Sequence, residues 1–111
     1  MTYKEIADLL ATVGLPFVYH HWEDNSAPPL PYLVYLFPGR DDFYADNSNY
    51  QAIVNLNIEL YSDQKDFALE QKLEEILYEN KISFDKTEAY ITSEKMYEVL
   101  YETEIILNGD A

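Results

Sequence analysis

From Tyr50 to Tyr61 the chain alternates with a period of two: Tyr50, Ala52, Val54, Leu56, Ile58 and Leu60 fall on one parity, and Gln51, Asn55, Asn57 and Glu59 on the other. This is the pattern of a strand with one buried face. Ile53 and Tyr61 interrupt the polar parity, so part of the outer face is expected to lie under a neighbouring element or another chain. The remaining sequence has to supply the cover.

A chain of 111 residues fits one domain, 1–111, because a core of this size stabilises a single compact unit. Cysteine is absent, which excludes a disulfide framework, thiolate catalysis and cysteine-ligated metal, and fits a reducing cytoplasm. Met1 to Val13 interrupts its apolar residues with Lys4, Glu5 and Asp8, unlike the apolar centre of a signal peptide, and no apolar run is long enough to span a bilayer. A soluble, intracellular protein is expected. Seven basic residues against twenty-one acidic ones leave a formal charge of −14, and the basic residues are scattered. Binding nucleic acid by phosphate neutralisation is therefore disfavoured. Eleven tyrosines, five phenylalanines and Trp22 argue equally against a disordered acidic tail.

Taken in order, Thr2 and Glu5 have capping-box spacing, and Tyr3, Ile6, Leu9, Leu10 and Val13 recur at helical spacing up to Gly14. Phe17 to Trp22 reads as a short strand. Its adjacent His20 and His21 should point to opposite faces and so share no ion; no metal site is expected. Glu23 to Pro31 is a turn-rich connection, stiffened by Pro28, Pro29 and Pro31. Tyr32 to Phe37 is apolar without alternation, which predicts a strand covered on both faces, by helices on one side and by its own loops or a neighbouring subunit on the other.

Pro38 and Gly39 break that strand, and Arg40 to Asn49 reads as a long polar loop carrying Asp41, Asp42 and Asp46 beside Phe43 and Tyr44. The aspartates lack the spacing and terminal glutamate of a calcium loop. An acidic tip with two aromatics that dock on a partner competes here with an idle solvated loop. Ser62 or Asp63 is expected to cap a second helix whose buried stripe is Leu69, Leu73, Ile76 and Leu77. Glu70, Glu74, Glu75 and Glu79 lie off that stripe, and Phe67 and Tyr78, three turns apart, share an azimuth that a monomer would leave exposed.

Lys86 to Thr92 and Met96 to Leu107 form a predicted hairpin. Tyr97, Val99, Tyr101, Ile105 and Leu107 share its inner parity, and Glu98, Glu102 and Glu104 the outer one. Paired carboxylates alone do not make an acid–base site without an apolar pocket to separate them, and a solvated acidic face is expected. No nucleophile elbow, phosphate-cradling glycine loop or metal-binding helix is written in the chain, so no catalysis and no cofactor are expected. The predicted fold is α+β: one mainly antiparallel four- to five-stranded sheet with two helices packed on it, in the order α-β-β-β-α-β-β.

The order of elements, together with the texts LPFVYHHWEDNSAPPLPYLVYLFPG, DDFYADNSNYQ, NIELYSDQKDFALEQKLEEIL and YITSEKMYEVLYETEI, resembles a family of small tail-completion proteins from phages and prophages of Gram-positive bacteria. The resemblance runs from about Thr2 to Ile106 and is similar to tail terminators, or tail-to-head joining proteins, of phages with long non-contractile tails. It implies a non-enzymatic virion protein, present in the host cytoplasm during assembly. Commonly six copies would form a ring that caps the tail tube and meets the head connector, leaving an axial channel for DNA. The partners implied are the chain itself, a tail-tube protein and a head connector protein, with no specific nucleic-acid binding and no membrane.

In that setting Tyr32, Tyr35, Phe37, Phe43, Tyr44, Phe67 and Tyr78 are candidates for subunit contacts. Asp41, Asp42, Asp46, Glu98, Glu102 and Glu104 are candidates for an acidic channel or surface, where carboxylates would keep a sliding polyanion from sticking. Two other classes compete. An acidic DNA mimic would occupy the basic groove of a nucleic-acid-binding protein, and another minor head–tail connector component would have similar size and fold.

Overall fold

The computed structural model describes residues 1–108, without the side chains of Asn49 and Tyr50. The elements run α1 (Tyr3–Ala11), β1 (Phe17–Tyr19), β2 (Tyr32–Leu36), β3 (Phe43–Ala45), β4 (Ser48–Gln51), β5 (Ile53–Ser62), α2 (Phe67–Glu79), β6 (Asp85–Ile91) and β7 (Met96–Ile106). Five strands make one sheet in the order β1-β2-β5-β7-β6, with only β1 and β2 parallel. The α+β sheet-and-helix architecture read from the sequence is therefore present, with one more hairpin than expected.

β5 lies at the centre, and its buried residues are Val54, Leu56, Ile58, Leu60 and Ser62 at strict alternation. Cross-strand pairing sets Leu33 against Leu60, and Ile58 against both Tyr35 and Tyr101, which defines one apolar face. Both helices contribute to the same core on that face, α1 through Ile6, Leu9 and Leu10 and α2 through Leu73 and Leu77. Each such fully buried aliphatic side chain contributes about 1.5–3 kcal/mol. Among the described residues the other face carries no helix.

The helix ends follow local chemistry. Thr2 and Glu5 form the predicted capping box, the Thr2 hydroxyl accepting from Glu5 N at 3.1 Å and Glu5 Oε1 from Thr2 N at 2.9 Å. Gly14 then takes φ 87°, a conformation that side chains resist. The second helix starts later than expected: Ser62 is still in β5, and the cap is Asp66, whose carboxylate accepts from Leu69 N at 3.0 Å. Ser62 and Asp63 were plausible caps by type, but the ladder with β7 extends through Ser62 and keeps that residue in the strand.

The stretch read as a polar loop is a hairpin arm. Pairing between β2 and β5 ends at Leu36 opposite Asn57, resumes as an isolated bridge at Arg40 opposite Val54, and continues into the β3–β4 ribbon. The register leaves one extra residue between Leu36 and Arg40, a segment in which Pro38 has no amide hydrogen to donate. At the tip Asp46 and Asn47 both have positive φ, 53° and 63°, between the paired residues Ala45 and Ser48. Two left-handed central residues define a type I′ turn, the tight turn whose twist matches a hairpin. The radius of gyration is 15.1 Å, against about 13 Å for a compact domain of this length, in keeping with an arm beyond the main sheet.

Candidate assembly surface

The arm is anchored at its base. Arg40 Nε and Nη2 donate to Asp42 Oδ1 and Oδ2, both at 2.7 Å, and Oδ1 also accepts from Ile53 N at 3.0 Å. Asp42 is thus buried and spent on holding the two strands together, so it is removed from the acidic-surface candidates. Its neighbours Asp41 and Asp46 remain exposed. Phe43 and Tyr44, on the arm, are 59% and 65% exposed.

The strand from Tyr32 is covered on its second face by this chain's own loop. Tyr32 is buried between Trp22 and Tyr61, with ring centroids 5.4 and 5.5 Å away, and is not a surface ring. Tyr35 and Phe37, on the helix side, are half-buried in an aromatic cluster with Phe17, Tyr19 and Tyr3. Of the three rings expected there at subunit contacts, Tyr32 is buried within its own chain, and Tyr35 and Phe37 are half-buried. Phe37 also lines a shallow groove of about 500 Å³ with Tyr3, Tyr19 and Arg40 at the base of the arm.

The two rings on α2 stand as the spacing predicted, Phe67 72% and Tyr78 82% exposed. The helix is fixed to the sheet by an ion cluster that periodicity did not reveal. Glu70, off the apolar stripe by spacing, is buried, with Lys65 2.5 Å from Oε2 and Lys86 2.9 Å from Oε1. Lys86 also reaches Glu74 Oε2 at 2.8 Å, Lys65 pairs with Glu88, and the Tyr101 hydroxyl donates to Glu74 Oε2 at 2.8 Å. In the sequence Lys86 and Glu88 show only a shared parity on one strand; the register of β6 with β7 is what sets them opposite Tyr101 and Val99 on the helix side.

Burial pushes the Glu70 carboxyl up, but the bonds and charges of Lys65 and Lys86 outweigh it and hold the group below the ordinary glutamate value. The stability this gives is present above that ordinary value and is lost as pH falls through the lower, folded one. Glu70→Gln should therefore destabilise the protein by about 1–3 kcal/mol at pH 7. The difference from wild type in urea denaturation should shrink below about pH 4. An unchanged midpoint at pH 7 would show that the cluster does not hold α2.

On the helix-free face, Glu98 is half-buried, and Glu102 and Glu104 are exposed. His20 takes φ 71°, which reverses the strand alternation just beyond β1 and sets the two imidazoles together, Nδ1 to Nδ1 3.1 Å apart. The expected opposite orientation of His20 and His21 is therefore wrong, because the strand ends at Tyr19. Among the described residues no group of three or more His, Cys, Asp or Glu is arranged to hold a metal ion. No helix among them is long and apolar enough to cross a membrane.

What the geometry defines is a two-layer α+β domain with one face free of helices among the described residues, a hairpin arm and exposed aromatic rings on its outer helix. No protein-family model matches the chain, and no curated protein matches it.

Proposed function

We propose that this protein is a non-enzymatic virion assembly subunit, a tail terminator that closes the tail tube of a long-tailed phage and joins it to the head connector. The virion role rests on the sequence resemblance. The observation that carries the association part is the exposure of Phe67 and Tyr78 on one side of a helix whose opposite side is in the core. Rings of this size left in water favour burial against another protein surface. The arm, with Phe43 and Tyr44, is a second contact element, since an isolated two-stranded hairpin has little stability of its own.

Copies carrying −14 each repel, so assembly into a ring should be weak at low salt and stronger once the charge is screened. Light scattering at high protein concentration should show mass rising between about 0.01 and 0.5 M salt, more steeply when purified tail tubes are added. Particles made without the protein should separate into unjoined heads and tails of irregular length under the electron microscope. Joined particles of normal length in its absence would refute the role.

One observation favours the DNA-mimic reading: Glu102 and Glu104 stand on the same face of β7, about 7 Å apart at strand spacing, in a chain whose seven basic residues are scattered along the sequence. Retrieval of a basic nucleic-acid-binding protein instead of tube protein would select it.

A further inference from the structure

Tyr61 stands between two carboxylates on the helix-free face. Its hydroxyl on β5 lies 2.6 Å from Glu98 Oε2, on the cross-strand partner in β7, and 3.0 Å from Glu59 Oε1 on its own strand. A neutral phenol has one O–H to give. The shorter contact assigns that hydrogen to Glu98, which leaves Glu59 and the phenol oxygen as two acceptors facing each other. All three side chains are half-buried, so water does not freely repair the mismatch. A proton on Glu59 repairs it, giving an unbroken chain from the Glu59 O–H to the Tyr61 oxygen and from the Tyr61 O–H to the Glu98 carboxylate.

Among the described residues no cation lies at hydrogen-bond range of Glu59 to hold it ionised. The groove over the cluster, about 390 Å³, is lined by Tyr32 and Val34 from β2, by His20, His21, Trp22, Glu23 and Asp24 from the loop after β1, and by Ile91 and Met96 from the β6–β7 hairpin. Glu94 of the turn between β6 and β7 adds negative charge near Tyr32. Among the described lining residues the side chains that can carry positive charge are the two imidazoles, whose Nδ1 atoms lie 3.1 Å from each other.

We propose that Glu59, Tyr61 and Glu98 form a proton-held clasp between the two central strands, closed in mild acid by one shared proton and opened when that proton leaves. Burial is the main cause raising the Glu59 carboxyl above its ordinary value; the Tyr61 hydroxyl opposes it only when it turns from Glu98 to donate to Glu59, the Glu98 charge adds to it, and the His20 charge opposes it. For a group raised in the folded state, the stabilising contribution is complete below the ordinary glutamate value and is lost as pH climbs through the folded one. The clasp concerns the fold of the subunit and stands or falls separately from any role in a virion.

The test is carboxyl-carbon NMR of the intact protein combined with denaturation from pH 4 to 8. Glu59 should titrate above the range of exposed glutamates. Glu59→Gln places an amide donor against the Tyr61 oxygen at every pH, so it should raise the denaturation midpoint at pH 8 and flatten the pH dependence. Glu102→Gln removes an equal charge from the same face and should leave the slope of wild type. Glu59 titrating in the ordinary range, or Glu59→Gln behaving like Glu102→Gln, overturns the proposal; the wild-type NMR titration decides if a variant does not fold.

Discussion

Replacing Tyr101 by alanine should cost about 3–5 kcal/mol, a large part of the 5–15 kcal/mol that holds a domain of this size. Tyr101 is fully buried in β7, opposite Ile58 on one side and Lys86 on the other. Its ring meets Phe84 edge-to-face at 5.1 Å, and its hydroxyl reaches Glu74 of α2. One side chain thus fills the core and ties the outer helix to the sheet. Burial, followed by the bond to Glu74, raises the Tyr101 hydroxyl above its ordinary value, so it is a donor at neutral pH. Tyr101→Phe keeps the ring and loses only the hydroxyl, and because Lys86 still pairs with Glu74 it should cost about 1 kcal/mol. Urea denaturation of the two variants separates packing from hydrogen bonding. A Tyr101→Ala midpoint within error of wild type would contradict the placement of this ring.

The second large effect is expected on association. Phe67 is the first residue of α2 and Tyr78 lies in its last turn. Aspartate favours a helix N-terminus and lysine a C-terminus, so Phe67→Asp with Tyr78→Lys removes both exposed rings, keeps the net charge at −14 and suits the helix dipole. Phe67 does sit under Lys65, 4.8 Å from its centroid, a contact worth about 0.5–1 kcal/mol at an exposed site. The double variant should therefore denature within about 1 kcal/mol of wild type while losing the salt-promoted rise in mass by tenfold or more in concentration. Wild-type association in the variant would move the contact elsewhere, the arm with Phe43 and Tyr44 being the next surface to alter.

Much of the fold is written in local patterns. The alternation of β5, the capping box of α1 and the stripe of α2 each depend on residues within a few positions of one another. Backbone geometry then dictates which of them share a face. For the same reason the exposure of Phe67 and Tyr78 was legible: two residues three turns apart on a helix have nowhere else to point. The arm was missed although its signal was present, since Asp46 and Asn47 are residue types that tolerate a type I′ turn; the surrounding aspartates made the stretch look like solvated loop.

The sequence by itself determined the two-layer plan, the central strand and the two outer rings of α2, because periodicity fixes direction within an element. Only the tertiary structure decided that Tyr32 is covered by Trp22, that Asp42 is consumed by Arg40, that Glu70 lies inside among lysines and that Tyr61 bridges Glu59 and Glu98. The Trp22–Tyr32, Glu70–Lys86 and Tyr61–Glu98 pairings join residues from different elements, set by strand order and register, and the local pairs Arg40–Asp42 and Glu59–Tyr61 depend on side-chain directions that sequence spacing alone leaves open.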